Sequence, residues 1–437
     1  MFTTLKNAFK IKEIRNKIFF TFLMLVVIRL GSLLPVPGVD RTYFARWFES
    51  QTGDAFNFFD AFTGGSFLNM SVLALNITPY ITSSIIMQLM TIAIPKLEEM
   101  QRDGADGRKK IASITRYVTV ALALIESSVM AIGFGRQGLL ETYNVMNVIT
   151  VITALTAGSA FLMWIGERIT ENGVGNGISI VLTINILSRM PQDIAQLFEQ
   201  FVIGKSIAKG AVAAIIIIAI IVLMVILVII LNDGVRKIPV QYAKKVQGRK
   251  MVGGQTTNIP LKVNTSGVIP VIFASSLMQL PVVICSLFNV NGTGVWGEIL
   301  KGLNSNYWCN PEHLVYSIGL VVYIFLVVFF AYFYTSITFN PMEIADNMKR
   351  QGGFIPGIRP GKPTSDYLAK LLNYIVFIGA IGLTIVCVVP YFFNGVFGAS
   401  VSFGGTSLII IVSVVLETVK QIESQMLVRN YKGFLND

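Results

Sequence analysis

Residues 211–231 read AVAAIIIIAIIVLMVILVIIL and contain no polar side chain. As an α-helix this run is about 31 Å long, the thickness of a bilayer's hydrocarbon core at roughly 30 Å. A helix apolar on every face has no side to offer water. The rest of the chain agrees with a lipid setting. Of 437 residues, 53% are hydrophobic and only 14% charged, with a mean hydropathy of +0.66. Water-soluble domains carry about 25% charged residues. Outward from 211–231, long apolar runs bounded by polar or turn residues recur at 18–37, 70–95, 117–134, 148–167, 178–199, 267–288, 313–334, 371–393 and 406–426. Ten spans at about 20 residues each use roughly 200 residues. The sequence therefore predicts a polytopic, all-α membrane protein.

Lysine and arginine set the orientation, because they concentrate on the cytoplasmic side. With the N-terminus inside, the inner segments carry 26 Lys/Arg and the outer ones 7, counting Arg189 with the loop it leads into. Arg29 and Lys420 lie within spans and complete the 35. The expectation is a cytoplasmic-membrane protein with both termini in the cytoplasm. The first span is expected to be retained rather than cleaved. It is long, contains Arg29 and ends in LLPVPG (33–38) without a small-residue cleavage site.

Enzymatic motifs are missing. Cys285, Cys309 and Cys387 are widely separated and His313 is the one histidine, which excludes a Cys/His zinc cluster and a CxxC redox pair. Gly173-Val-Gly175-Asn-Gly177 lacks dinucleotide-binding spacing and a preceding strand, and reads as a turn entering a helix. Gly357-Ile-Arg-Pro-Gly361-Lys362-Pro363 lacks the spacing and the Ser/Thr of a phosphate loop. His313 is expected to cap or flank the eighth span. No enzyme activity and no cofactor or metal is expected.

Charged groups inside spans are costly and so are candidates for function. Glu126 sits mid-span in ALALIESSVMAI (121–132), as a functional group or a structural hydrogen-bonding one. Arg29 reads as a helix–helix or subunit contact. Glu417 and Lys420, three apart, read as a local ion pair with snorkelling. Spans two and seven open on Asn76-Ile-Thr-Pro79 and Asn264-Thr-Ser-Gly267-Val-Ile-Pro270. Interrupted helices at matching positions of two halves, 1–200 and 201–437, mark the working site of a repeat-built transport protein. Ordinary tolerance of Pro and Gly in membrane helices is the alternative. Before the second span lies an aromatic segment, residues 56–67, too short to span, which either lies on the surface or folds back as a re-entrant element. Loops 232–266 and 335–370 are long and basic. Lys244, Lys245, Arg249 and Lys250 stand in the first, and Lys349, Arg350, Arg359 and Lys362 in the second. They suit anionic lipid, a soluble partner or ribosomal RNA.

Nine strings in one order carry a family resemblance: LPVPGVD (34–40), FFDAFTGGSF (58–67), ITPYITSSIIMQL (77–89), GADGRKKI (104–111), FLMWIGERITENGVGNGISI (161–180), YAKKVQGRK (242–250), PLKVNTSGVIPVIFASSL (260–277), FNPMEIADNMKRQGGFIPGIRPGKPT (339–364) and FGGTSLIIIV (403–412). The chain resembles the SecY family, the central subunits of Sec protein-conducting channels. The resemblance implies ten helices in two pseudo-symmetric five-helix halves that form an hourglass channel. It puts a pore ring at Ile77, Ile81, Ile178, Leu182, Ile272 and Ile410, with Leu182 in place of the usual isoleucine. It puts a plug at 57–67, including Phe58, Phe59, Phe62, Gly64, Gly65 and Phe67. A lateral gate would include Thr82, Gln88, Glu126 and Asn264, and partner docking would use Lys244, Lys245, Arg249, Lys250, Lys349, Arg350 and Arg359. Implied partners are the small membrane subunits SecE and SecG, the SecA ATPase motor or a ribosome, signal peptides and preproteins, and anionic lipids. An ion-coupled solute transporter, or an insertase without a through-pore, stays open as an alternative.

Overall fold

The structure is a computed structural model that describes residues 8–40, 42–44, 46, 60, 63–202, 207–242, 245–247, 250–252, 256–287, 294–311, 314–397 and 405–433. In chain order its helices are α1 (Lys12–Gly31), α2 (Thr78–Ala93), α3 (Pro95–Arg102), α4 (Ala105–Arg136), α5 (Val145–Asn172), α6 (Gly177–Phe201), α7 (Ile207–Asp233), α8 (Ile269–Leu287), α9 (Val295–Leu303), α10 (Ile318–Thr338), α11 (Pro341–Arg350), α12 (Lys362–Phe397) and α13 (Gly405–Gly433). All but α3, α9 and α11 fall on the ten expected spans. Five of the described helices are long and apolar enough to cross a membrane by themselves, and α2 with α3 makes a sixth if counted as one bent span.

Helix α6 falls short for a physical reason. A helix enclosed by other helices can carry polar groups that lipid would not accept. Helix α7 is the extreme lipid-facing case, with Val212, Ile215, Ile216, Leu223 and Ile230 exposed. Helix α6 is the opposite: Val181, Leu182, Asn185, Ile186, Asp193 and Leu197 are all buried. The chain is a multi-pass membrane protein.

Expectation and structure differ at the second span. Residues 70–77 are turns, and the helix begins at Thr78 with Pro79 in its first turn. Met70 and Asn76 hold positive φ angles of 42° and 53°, which an L-residue in a helix cannot adopt. At the other end Ile94 is extended, as a residue before proline prefers, and α3 leaves Pro95 at 107° to α2.

The basic loops are not merely loops. Strands β1 (Val235–Tyr242), β2 (Lys245–Gln247), β3 (Lys250–Val252), β4 (Thr256–Lys262) and β5 (Gly353–Phe354) lie in them. One sheet has the order β4-β1-β5, so a strand from loop 335–370 pairs with one from loop 232–266; β2 and β3 form a second, two-stranded sheet. Ile238 and Val240 alternate inward on β1, and with Leu261, Met348, Ile355 and Leu368 they build a small core beneath the sheet. Pro239 pairs opposite Asn258 on β4, while β5 reaches only Gln241 and Tyr242. A strand residue without an N–H is thus placed where β1 has a neighbour on one side only.

The turn 173–177 joins α5 to α6 as expected. Gly175 has φ +82°, and the Asn176 side chain accepts the N–H groups of Ile178 and Ser179 as a cap. A Cβ on Gly177 would run into the Gly166 carbonyl oxygen, so the two helices approach backbone to backbone. Val174 donates its N–H to Thr21 Oγ1 at 3.1 Å, tying the turn to α1. The three cysteines are free. His313 lies outside the described residues.

Candidate functional site

All six residues of the expected ring meet in one apolar cluster. Ile77, Leu182 and Ile410 are buried in it, and Ile81, Ile178 and Ile272 are half-buried against it. They come from the start of α2, from α6, α8 and α13, and from the turn before α2. Ile28 of α1 and Leu162 and Ile165 of α5 complete the surroundings. A patch of this kind offers water and ions no hydrogen-bond partner.

Helix α6 shows how one face changes character along its length. Ile178, Leu182, Asn185, Arg189 and Asp193 recur every three or four residues and so share a stripe. The stripe is apolar at the cluster and polar beyond it. Asp60 and segment 63–77 lie on the polar part. Asn185 Nδ2 donates to Asn76 Oδ1 at 2.9 Å. Ser188 Oγ reaches the Gly64 carbonyl at 3.5 Å, and a Cβ on Gly64 would crowd the Asn185 backbone. Arg189 pairs with the buried Asp60 and approaches Asp193 Oδ1 at 3.6 Å.

Of the plug residues, Gly64 and Gly65 hold φ angles of 65° and 83°, a conformation glycine adopts without penalty. Phe67 turns away from the ring cluster and packs edge-on against Phe44, with Phe134 beyond. Phe58, Phe59 and Phe62 lie outside the described residues.

The four gate residues are not brought together. Thr82 Oγ1 donates to the Thr78 carbonyl of its own helix at 3.1 Å. Asn264 donates to Asn232 Oδ1 at 3.0 Å, and Asn232 donates to Ser413 Oγ at 2.8 Å, which ties it to α7 and α13. Glu126 is half-buried on α4, a helix that touches α8. Gln88 is the one that faces the opposite helices. With Ile85 and Leu89 it lines an apolar cavity of about 30 Å³ whose far wall is Ile269, Pro270, Phe273, Phe330, Phe333, Tyr334 and Ile337. A groove of about 1300 Å³ opens nearby, between the ends of α2 and α10 and helices α3 and α11.

Among the docking residues, Lys349 and Arg350 are exposed in the last turn of α11, and Arg359 is exposed in the turn before α12. Lys245 and Lys250 fall on the backbone of β2 and β3, while Lys244 and Arg249 lie outside the described residues.

Two further expectations need correction. Lys420 pairs at 2.6 Å with Asp233 at the end of α7 rather than with Glu417. Arg29 donates to the Gly64 carbonyl at 3.4 Å, so within the chain it meets a turn rather than the neighbouring helix of the helix–helix reading. The sequence reading missed Asp60, Arg189 and Asp193 altogether. The three-four spacing along the fifth span was the available signal, but the partner sits 129 residues away in sequence.

The SecY family model matches residues 71–419. The chain is 41% identical over 443 residues to the protein translocase subunit SecY of Halalkalibacterium halodurans, covering all of both chains. It is 42% identical over 449 residues to that of Bacillus subtilis, again over all of both. A solved SecY structure, described for a plug domain that stabilises the closed state and maintains a membrane seal, superposes with a TM-score of 0.63 at 19% identity, over 94% of this chain and 92% of that one. Ten helices on the expected spans, one apolar meeting point and relatives matched along their whole length agree: the chain belongs to the SecY family of protein translocase subunits.

Proposed function

We propose that the chain forms a channel through which unfolded preproteins cross the cytoplasmic membrane, and from which apolar segments leave sideways into lipid. The observation that carries this reading is the single apolar cluster at Ile77, Ile81, Ile178, Leu182, Ile272 and Ile410. A dry constriction blocks ions by dewetting, yet flexible aliphatic side chains part around an extended chain. Residues 57–67 act as the plug on the outer side of that constriction. The N- and C-terminal sets of five helices are two halves, divided near residue 200, with both termini in the cytoplasm.

Sideways release takes place between α2 and α4 on one side and α8 and α10 on the other. A sufficiently apolar segment gains transfer free energy by leaving there. Thr82, Gln88, Glu126 and Asn264 tune that exit. The chain is not an enzyme, so the driving energy comes from a partner, SecA or a translating ribosome. That partner docks on the basic sheet and on Lys349, Arg350 and Arg359. SecE and SecG cover lipid-facing helices, and anionic lipids neutralise the basic end. Membership of a protein translocase family and the paired basic loops favour this over an ion-coupled solute transporter.

Changing Ile81, Ile272 and Ile410 together to glycine should raise resting ion conductance in planar bilayers by more than about tenfold, because the dry segment widens. Unchanged conductance in a well-folded variant contradicts the constriction.

A further inference from the structure

We propose that Asp60 and Arg189 form a buried electrostatic latch that holds the plug segment against α6 and keeps the channel shut. The inference rests on the channel reading above and assigns positioning roles to residues outside the ring.

Four charged groups gather where Asp60 and segment 63–77 meet the wall. The Asp60 side chain is fully buried and Asp193 nearly so, while Arg189 is 15% exposed. Arg29 reaches in from α1 to the Gly64 carbonyl. Arg189 faces both carboxylates, while Arg29 meets the same segment through a backbone carbonyl. Asp60 also organises its own segment: its Oδ1 accepts the Leu68 N–H at 2.8 Å and its carbonyl accepts the Gly65 N–H at 3.2 Å. The segment and its anchor are therefore one unit. Moving the segment off α6 pulls one charge of the pair away with it.

A buried pair resists such separation strongly while the site is dry, because each charge loses its partner without gaining water. Once a translocating chain lets water into the pore, both ions are hydrated and the attraction falls to the small value typical of solvated pairs. The latch is thus stiff against thermal opening and weak after insertion. Its place on the stripe fits this role, since Arg189 lies two turns of α6 beyond Leu182. The seal and the latch share one rigid element.

The test measures resting conductance and preprotein transport for the full-length chain in the complex purified from its host. Asp60→Asn keeps the side chain's shape and removes its charge. It should raise resting channel openings by about a hundredfold or more, the scale for uncompensating one member of a buried pair. Arg189→Gln should do the same. The exchange Asp60→Arg with Arg189→Asp should bring the openings back towards the parent level. Thermal unfolding in detergent accompanies each variant. If Asp60→Asn melts like the parent and leaves the leak unchanged while the triple glycine variant leaks, the latch is overturned and the channel reading stands. If both single variants leak and the folded exchange variant leaks as much, the pairing is overturned. If no variant conducts and no preprotein crosses, both readings fall.

Discussion

Along α6 and α13 the N- and C-terminal helices meet through continuous apolar packing. Leu182 and Ile410 share one cluster, and Ile14, Val174 and Ile422 share another at the basic end. Gly175 lies so close to Thr418 that a Cβ there would sit 2.9 Å from its Oγ1. Between α2 or α4 and α8 or α10 the meeting is of another kind. The facing side chains leave a cavity of about 30 Å³, and beyond the ring end, where Tyr80 and Ile81 meet Ile272, no apolar cluster among the described residues joins them. Close-packed side chains lose up to about half of their dispersion energy when a gap of about 1 Å opens, whereas helices already separated by a void lose little. Of the two surfaces, the second loses less on parting.

The largest expected effect tests the close-packed side. Ile422→Ala empties a buried site packed against Ile14 and Val174 and should cost about 3 kcal/mol, within the usual range for a core isoleucine cut to alanine, read as lost yield and earlier unfolding in detergent. The matching change across the cavity, Leu89→Ala, should cost about 1 kcal/mol or less, since a half-buried side chain beside a void gives up fewer contacts than a core leucine. Equal costs at the two surfaces would break the comparison.

Arg359→Glu lies at neither surface. It should cut preprotein transport severalfold while resting conductance and membrane insertion of the channel stay normal, because a reversed charge on a docking surface acts on association rather than on the seal. Normal transport removes Arg359 from the docking surface.

The smallest effect sharpens the loose side. Glu126→Leu should shift the signal hydrophobicity needed for opening by about 1 kcal/mol, the scale of one polar contact between membrane helices. A graded series of signal sequences with an unaltered threshold takes Glu126 out of the opening step.

Much of the architecture was legible because its cause is local. An apolar run such as 211–231 needs no partner to declare itself, and the interruptions at Asn76–Pro79 and Gly267–Pro270 announce backbone that cannot run as unbroken helix. The resemblance of ordered strings named six apolar residues far apart in the chain, and the structure gathers them in one cluster. The gate residues show the limit. Thr82 and Asn264 are polar positions in suggestive places, yet Thr82 bonds within its own helix and Asn264 bonds to α7.

The sequence by itself determined that this is a multi-pass helical membrane protein with a basic end, since hydropathy and charge act residue by residue against lipid and water. Only the tertiary structure decided which buried charges meet, as with Arg189 and Asp60, and that two basic loops share one sheet through β1 and β5. Ion pairs and strand pairing depend on groups far apart in the chain arriving at one place. Their specificity lies in distance and direction, which no local pattern records.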